Sequence, residues 1–368
     1  MGRGAASPEC DTARVNACLA RHSRLQKDVA QRSDKTRGTA VIHRFHTHAL
    51  TAICLLLAAL SQATAQSQKT VTLVVPYAAG GGTDTVARLI GDQMSRALGR
   101  SVIIENVVGG GSTLANERVA RSTPDGSTVL INHVGLLAAP SLFTKLRYDT
   151  ATAFEPVGLV NNAPMLLVGR KSIPGASPKE LVDWIRTQGA KANFAHGGIG
   201  SNSHLCAVMM GNVLGFKPTI VAYRGSAPAI TDLLAGQIDL LWDQVTNAIT
   251  QVQSGALHGI AVTSPQRLEQ LMDVPTTAEL GMPEVSYTMW HGLYVVKGTP
   301  RETIGALNSA LRKAVSDPGL REKLTQLGTL PFPESELTPE AHARLFAADL
   351  PRVAKLVESS GIKASEAK

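Results

Sequence analysis

Three glycine-rich loops with small hydroxyl side chains are the segments of this sequence best suited to chemistry. They span residues 76–84, 196–203 and 223–228, and each lies between the predicted carboxyl end of a strand and the predicted amino end of a helix. The first turn of a helix has unpaired N–H groups and about half a positive charge, and glycine lets a ligand approach that backbone closely. We therefore expect the three loops to form one small anion site beyond the carboxyl ends of the strands.

Motifs for other kinds of chemistry are absent. The sequence has no G-x-G-x-x-G or G-x-x-x-x-G-K-[ST] phosphate loop, no G-x-S-x-G nucleophile motif and no H-E-x-x-H zinc motif. His196 and His204 lack an obvious third ligand, so no metal and no cofactor is expected. Ser201, Ser226 and His291 could form a hydrolase triad, although nothing in their spacing separates them from helix caps. An exported hydrolase that uses one of these serines is the alternative to a binding protein.

The N-terminal 65 residues have the pattern of a leader with a signal peptide. Arg44 precedes an apolar run over residues 49–60, which is too short to span a bilayer, and the small-x-small sequence Ala63-Thr64-Ala65 follows. Cleavage there would give a mature start at Gln66 and a periplasmic protein. Residues 1–40 precede a complete signal peptide, which favours a true translation start further downstream over an extended leader.

Charge and cysteine usage narrow the class of protein further. The formal net charge is +7, but residues 1–65 hold nine Lys/Arg and four Asp/Glu. The rest of the chain then has 27 Lys/Arg and 25 Asp/Glu. This nearly neutral body has no block of basic residues to follow a phosphate backbone, so nucleic-acid binding is not expected. Its single cysteine, Cys206, excludes an internal disulfide and is expected to be a buried thiol. No later segment has 18 consecutive apolar residues, so no transmembrane helix is expected.

Strands and helices alternate along the body of the chain. Strands are predicted over residues 71–75, 102–105, 128–132, 165–168, 193–195, 219–222, 240–242, 260–263 and 293–296. A helix with one apolar face is predicted over residues 83–98, and capping boxes are predicted at residues 177–180 and 299–302. Such alternation indicates helix-covered, mostly parallel sheets, and the length exceeds what one core usually holds. We therefore predict two α/β lobes.

Several segments, together with these loops, carry a resemblance to a known family. They are residues 74–84 (VVPYAAGGGTD), 124–126 (PDG), 223–229 (YRGSAPA), 232–237 (DLLAGQ), 261–264 (AVTS) and 273–276 (DVPT). Over residues 69–362 the chain resembles the receptor component of tripartite tricarboxylate transporters, the Bug-type binding proteins. The resemblance implies a two-lobed periplasmic binding protein, a type II-like Venus flytrap with crossover strands near residues 165–168 and 289–296.

The resemblance also implies a lobe assignment and a function. Lobe 1 would comprise residues 66–167 and 292–368, and lobe 2 residues 168–291. The protein would be a monomer that captures a small di-, tri- or aromatic carboxylate between the lobes without catalysing a reaction. Its partners would be membrane permease subunits or a sensor kinase.

Ligand-binding residues follow from the same resemblance. The loop at residues 82–84 and the loop at residues 225–227 would clamp a ligand carboxylate from opposite lobes. The expected set is Tyr77, Gly82, Thr83, Asp84, His133, Ser201, Ser203, Gly225, Ser226, Ala227, Asp243, Trp290 and His291. His133 and His291 depart from the family pattern, and we hypothesise that at least one contacts a distal polar group of the ligand. A carboxylate there would favour the protonated imidazole, so the affinity would fall as the pH rises.

Overall fold

The computed structural model describes residues 70–364. The predicted leader, its cleavage site and the mature start at Gln66 lie outside the described residues. The strands are β1 (Val71–Val75), β2 (Val102–Asn106), β3 (Thr128–Asn132), β4 (Phe154–Arg170), β5 (Asn193–His196), β6 (Thr219–Ala222), β7 (Leu240–Gln244), β8 (Leu257–Val262), β9 (Thr288–Val296) and β10 (Leu330–Pro331). The α-helices are α1 (Gly82–Leu98), α2 (Thr113–Ala120), α3 (Val134–Leu142), α4 (Pro178–Gln188), α5 (Asn202–Leu214), α6 (Ser226–Leu234), α7 (Val245–Gln253), α8 (Arg301–Ser316), α9 (Pro318–Gln326) and α10 (Pro339–Ser360).

The described strands form one mixed sheet in the order β2-β1-β3-β9-β4-β7-β5-β6, with β8 and β10 also paired to β4. Strands β1, β2 and β3 are parallel to one another, as are β5, β6 and β7. Strands β4 and β9 run antiparallel to their neighbours. The sheet therefore consists of two parallel groups joined through β4, and the predicted two-lobed α/β fold is confirmed in outline.

Strand β4 belongs to both groups. It pairs with β9 from Phe154 to Pro164 and then with β7 and β8 from Met165 onward. The sequence predicted only residues 165–168 of it, because proline and glycine interrupt the earlier part and are depleted in strands. The register with β9 shifts between Pro156 and Gly158, and such an irregularity is where a strand accommodates a proline.

Apolar side chains cover both faces of the sheet around β7. Leu240 and Trp242 belong to one buried hydrophobic cluster and Leu241 to a second. Successive side chains of a strand point to opposite faces, so helices must cover the sheet on both sides there. This burial explains why the strands read as continuous apolar runs rather than as alternating patterns.

The two predicted capping boxes had different outcomes. Ser177 and Glu180 form the reciprocal capping box at the start of α4, as predicted. The prediction for residues 299–302 is wrong, because the Thr299 hydroxyl donates to the Val296 carbonyl instead, and α8 begins at Arg301 without a side-chain cap. The thiol of Cys206 is buried, as predicted, and burial raises its pKa to about 12. None of the helices among residues 70–364 is long and apolar enough to cross a membrane.

Candidate ligand-binding site

The structure brings the three predicted loops together. Each connects the end of a strand to the start of a helix: β1 to α1, β5 to α5 and β6 to α6. The Ala78 N–H donates to the Arg224 carbonyl at 3.2 Å, which ties the first loop to the third. A Cβ placed on Gly197 would lie 3.1 Å from the Ser226 nitrogen, so the second loop packs on the third through backbone.

These loops form part of the wall of a cavity of about 30 Å³. It is lined by Tyr77, Gly81, Gly82, Thr83, His133, Met165, Gly197, Ser201, Asn202, Ser203, Ser226, Asp243 and Gln244. The predicted residues that the structure places elsewhere are Asp84, Gly225, Ala227, Trp290 and His291. The lining residues that the sequence did not predict are Gly81, Met165, Gly197, Asn202 and Gln244. A systematic search of the N-cap and first residue of each helix could have found Asn202 and Gln244.

Five helices present their amino ends to the cavity. Its wall includes the first residues of α1, α5 and α6 and the N-cap residues of α3 and α7, which are His133 and Gln244. Each amino end offers unpaired N–H groups and a partial positive charge. None of the described residues that line the cavity is a lysine or an arginine. The partial positive charge in this wall is therefore that of the helix amino ends, which favour an anion.

Thr83 stands at the centre of a chain of hydrogen bonds between the two groups of strands. Its hydroxyl lies 2.9 Å from Gln244 Nε2 and 3.1 Å from His291 Nε2. His291 Nδ1 lies 2.9 Å from Asn161 Oδ1, whose amide nitrogen donates to Thr329. This arrangement assigns the imidazole proton to Nδ1, so Nε2 accepts from Thr83, which in turn accepts from Gln244. His291 thus orients Thr83 from behind the cavity wall.

His133 lies in the wall itself, as an uncharged ring. It stacks on Tyr77 with ring centroids 4.8 Å apart, and Nδ1 accepts from the Gly135 N–H. Burial, and then the neighbouring His291 ring, lower the pKa of His133 well below 6.5, and burial lowers the pKa of His291 to about 3. The structure therefore gives no support to a protonated histidine in this cavity. Whether His133 contacts a ligand stays a prediction.

Asp243 is a buried carboxyl at the end of β7. Its Oδ1 accepts from the Gln244 N–H at 2.8 Å, and its Oδ2 accepts from the Asn247 amide. Burial raises its pKa to about 6, in spite of these bonds and a contact with Ser226 that favour the charged form. Asp243 is therefore the group of the cavity wall that changes charge near neutral pH.

Four buried polar atoms of cavity residues have no partner. They are Tyr77 Oη, Asn202 Oδ1, Ser203 Oγ and Gln244 Oε1. A buried polar atom left without a hydrogen bond costs about 1–3 kcal/mol, so such atoms are rare outside sites that hold a ligand or a water. The wall thus combines hydroxyl and amide groups available for a bound polar molecule.

The predicted residues outside the wall have structural partners. Trp290 Nε1 donates to Asp349 at 2.7 Å, away from the loops. A Cβ on Gly225 would lie 2.8 Å from Ala78, so Gly225 allows two loops to approach each other. Asp84 Oδ2 accepts from the Gly80 N–H and from Arg88 Nε, both at 2.8 Å, and its Oδ1 accepts from Asn106 at 2.9 Å. Asp84 therefore fixes the first loop rather than facing the cavity.

We predict that Asp84→Asn destabilises the protein by about 2 kcal/mol, because an amide cannot accept from all of these donors. Although burial alone would raise the pKa of Asp84, the bonds from Arg88, Gly80 and Asn106 hold it below 3.8. The stabilisation is therefore present at neutral pH and is lost as the pH falls below about 4. Urea unfolding at pH 7 and pH 3 measures both effects.

Asp92→Asn is the matched control for this prediction. Asp92 pairs with Arg96 on the same helix, four residues apart as in the pair of Asp84 and Arg88, but both partners are exposed. Loss of an exposed pair changes stability by about 0.5 kcal/mol or less. Equal effects of the two substitutions would show that the buried network of Asp84 contributes nothing specific.

The arrangement of the serines does not favour hydrolysis. Ser201 Oγ donates to the Gly198 carbonyl and accepts from the His204 N–H, and Ser226 Oγ accepts from Asn247. Neither hydroxyl is bonded to an imidazole within residues 70–364. No group of three or more His, Cys, Asp or Glu among those residues could hold a metal ion.

A two-group sheet joined through β4, with helix amino ends converging on one cavity, defines the periplasmic binding protein class. Solved structures agree: the periplasmic binding protein BugD superposes with a TM-score of 0.78 at 38% identity, covering 81% of this chain and 99% of that one. MatC from Rhodopseudomonas palustris, solved with bound malate, gives a TM-score of 0.75 at 36% identity, covering 79% of this chain and 99% of that one.

Sequence comparison gives the family. A protein from Agrobacterium vitis, described as a UPF0065 protein in the ttuE-ttuC' intergenic region of TAR-I, is 38% identical over 89% of this chain and 94% of its own length. Residues 86–362 match the model of the tripartite tricarboxylate transporter family receptor. The chain belongs to that receptor family, as the resemblance predicted.

Proposed function

We propose that this protein is a periplasmic receptor that binds a small carboxylate in the cavity at the three loops. The observation that carries the proposal is the convergence of five helix amino ends on a buried space whose wall has no lysine or arginine. An anion bound there would be held by backbone N–H groups and by the Ser203 hydroxyl, which has no partner in the protein. The likeness to MatC, which was solved with malate, supports a carboxylate over other anions.

A thermal-shift screen tests this proposal. We expect malate, succinate or citrate to raise the melting temperature, because ligand at 100 times its dissociation constant stabilises the folded state by about 2.7 kcal/mol. Malamide is the matched neutral control, since it has the shape of malate without its charge. Stabilisation by malamide but by none of the acids would contradict an anion site.

We propose further that binding occurs without turnover. Ser201 and Ser226 are hydrogen-bonded to neighbouring groups, Ser203 Oγ has no partner, and none of the three is bonded to an imidazole among the described residues that could act as the base a hydrolase needs. Incubation with carboxylate esters, followed by chromatography, decides between the two functions. Release of the free acid from the ester would contradict binding without turnover and support the hydrolase function.

The wider setting of the protein is also a proposal. The leader pattern supports export to the periplasm with a mature start at Gln66, and intact-mass analysis of the exported protein would reveal retention of residues 1–65. Family membership supports delivery of the ligand, by a monomer, to a membrane permease or a sensor kinase. We keep the assignment of residues 66–167 and 292–368 to lobe 1 and of residues 168–291 to lobe 2. Strand β4 changes its pairing partner from β9 to β7 between Pro164 and Met165, which supports a lobe boundary in that region.

A further inference from the structure

The cavity at the three loops is smaller than the carboxylates that the proposed function assigns to it. Its volume of about 30 Å³ holds about two water molecules, since one water needs roughly 10–15 Å³ of such space. Pockets that hold small-molecule ligands measure about 300–1,000 Å³. A four-carbon diacid such as malate therefore needs space that a group of the wall fills in this structure.

Backbone contacts hold the two groups of strands together beside the cavity. The Ala78 N–H donates to the Arg224 carbonyl at 3.2 Å, which joins the loop after β1 to the loop after β6. A Cβ on Gly82 would lie 2.8 Å from Gln244 Cβ, so α1 packs closely against the end of β7. With the loops in this arrangement, the space for a ligand has to come from the movement of a side chain.

The Gln244 side chain is held in the cavity wall by a single hydrogen bond. Its Nε2 donates to the Thr83 hydroxyl at 2.9 Å, and its Oε1 has no partner among the described residues. Gln244 also retains 8% exposure, against 1% for Thr83 and 2% for Asp243, so it lies nearer to solvent than they do. Rotation of this side chain therefore breaks one hydrogen bond and buries no new unpaired oxygen.

The other large side chains of the wall are held more firmly. Tyr77 stacks on His133 with ring centroids 4.8 Å apart, and Met165 belongs to a buried hydrophobic cluster. The Asn202 amide nitrogen lies 3.4 Å from His133 Nδ1 and 2.9 Å from a buried methionine sulfur. Asp243 accepts hydrogen bonds from two donors. The glutamine carboxamide is therefore the group that leaves the cavity at the lowest cost.

The carboxamide also lies where an anion would be stabilised. A Cβ on Gly82, the first residue of α1, would lie 2.3 Å from Gln244 Oε1, which places this oxygen at the amino end of α1. A carboxylate there interacts with the partial positive charge of the helix through a full negative charge, whereas an amide oxygen carries only a partial one. A ligand carboxylate is therefore favoured over the carboxamide at this position.

We propose that the Gln244 carboxamide occupies the position of a ligand carboxylate and is displaced when the ligand binds. Rotation of the side chain breaks its bond to Thr83 and leaves the bond between Thr83 and His291 in place. The Cβ of Gln244 stays against Gly82. This inference rests on the proposed function, and it makes Gln244 the residue that determines how much space the cavity offers to a ligand.

Calorimetry with malate, succinate and citrate on Gln244→Ala and Gln244→Met tests the displacement. Both variants lose the bond to Thr83, but methionine keeps a side chain of similar length in the cavity, whereas alanine removes it. We expect Gln244→Ala to bind the acids about two- to tenfold more tightly than the wild type, because one hydrogen bond no longer has to be broken. Gln244→Met should bind them more weakly than Gln244→Ala.

Gln253→Ala is the matched control, and its affinity should equal that of the wild type. Gln253 ends α7, the helix that follows Gln244, and its amide donates to the Gln270 carbonyl at 3.4 Å outside the cavity wall. If Gln244→Ala binds no more tightly than the wild type, or if Gln244→Met gains as much as Gln244→Ala, the displacement is overturned and the proposed function stands. If no acid binds to the wild type or to any variant, the proposed function fails as well.

Discussion

Gly82→Ala is expected to weaken carboxylate binding by about 5- to 150-fold, the range given by an overpacking cost of roughly 1–3 kcal/mol. A Cβ on Gly82 would lie 2.3 Å from Gln244 Oε1, 2.6 Å from Thr246 Oγ1 and 2.8 Å from Gln244 Cβ. Gln244 ends β7 and Thr246 lies two residues after it, in the other group of strands, so the added methyl opposes closure around the ligand. Calorimetry with the tightest acid from the screen measures the loss.

The fold should survive this substitution. Gly82 is the first residue of α1 and has no positive φ, so alanine fits its backbone and favours the helix. Gly305→Ala is the matched control, because Gly305 lies in α8 with nothing within 4 Å of the added Cβ. Wild-type affinity in Gly82→Ala would mean that the loops need not close on the ligand. Gly225→Val is a poorer test, because its φ of +135° adds backbone strain to the contact with Ala78.

The second large effect concerns pH and Asp243. Below a pKa of about 6 this buried carboxyl is neutral and can donate a hydrogen bond to a ligand carboxylate, whereas above it the charge repels the ligand. If only the neutral form binds, affinity should fall by about twentyfold between pH 5.5 and pH 7.5. The direction matches the hypothesis made for the histidines, but the titrating group differs. Calorimetry across this range measures the fall.

Asp243→Asn distinguishes titration of Asp243 from titration of a histidine as the cause of the pH dependence. An amide stays neutral and keeps a donor, so the variant should bind at pH 7.5 about as tightly as at pH 5.5. His133→Asn, which removes the imidazole from the wall, should keep the pH dependence of the wild type, since burial already holds that ring neutral. If the pH dependence of the affinity persists in Asp243→Asn and disappears in His133→Asn, the titrating group is His133 and not Asp243.

Local pattern was sufficient for most of the secondary structure. The ends of β1, β3 and β6 agree with the prediction to the residue, because each is a short β-branched run bounded by turn residues. The first half of β4 was missed, since its stability comes from pairing with β9 rather than from its own propensities. The capping box predicted at Thr299 is absent for a related reason. The Thr299 hydroxyl donates to the Val296 carbonyl instead, and sequence spacing does not reveal this competing bond.

The cavity shows the same division between local and tertiary information. The sequence by itself determined the three glycine loops, their hydroxyl groups and their places between strand and helix, because these are consequences of residues close together in the chain. Only the tertiary structure decided which side chains face inward. Thr83, Gln244 and His291 lie up to 208 residues apart, and their hydrogen bonds exist only once β7 and β9 lie on either side of β4. The tertiary structure also placed Asp84 and Trp290 outside the cavity wall, since their buried polar atoms are hydrogen-bonded to Asn106 and Asp349.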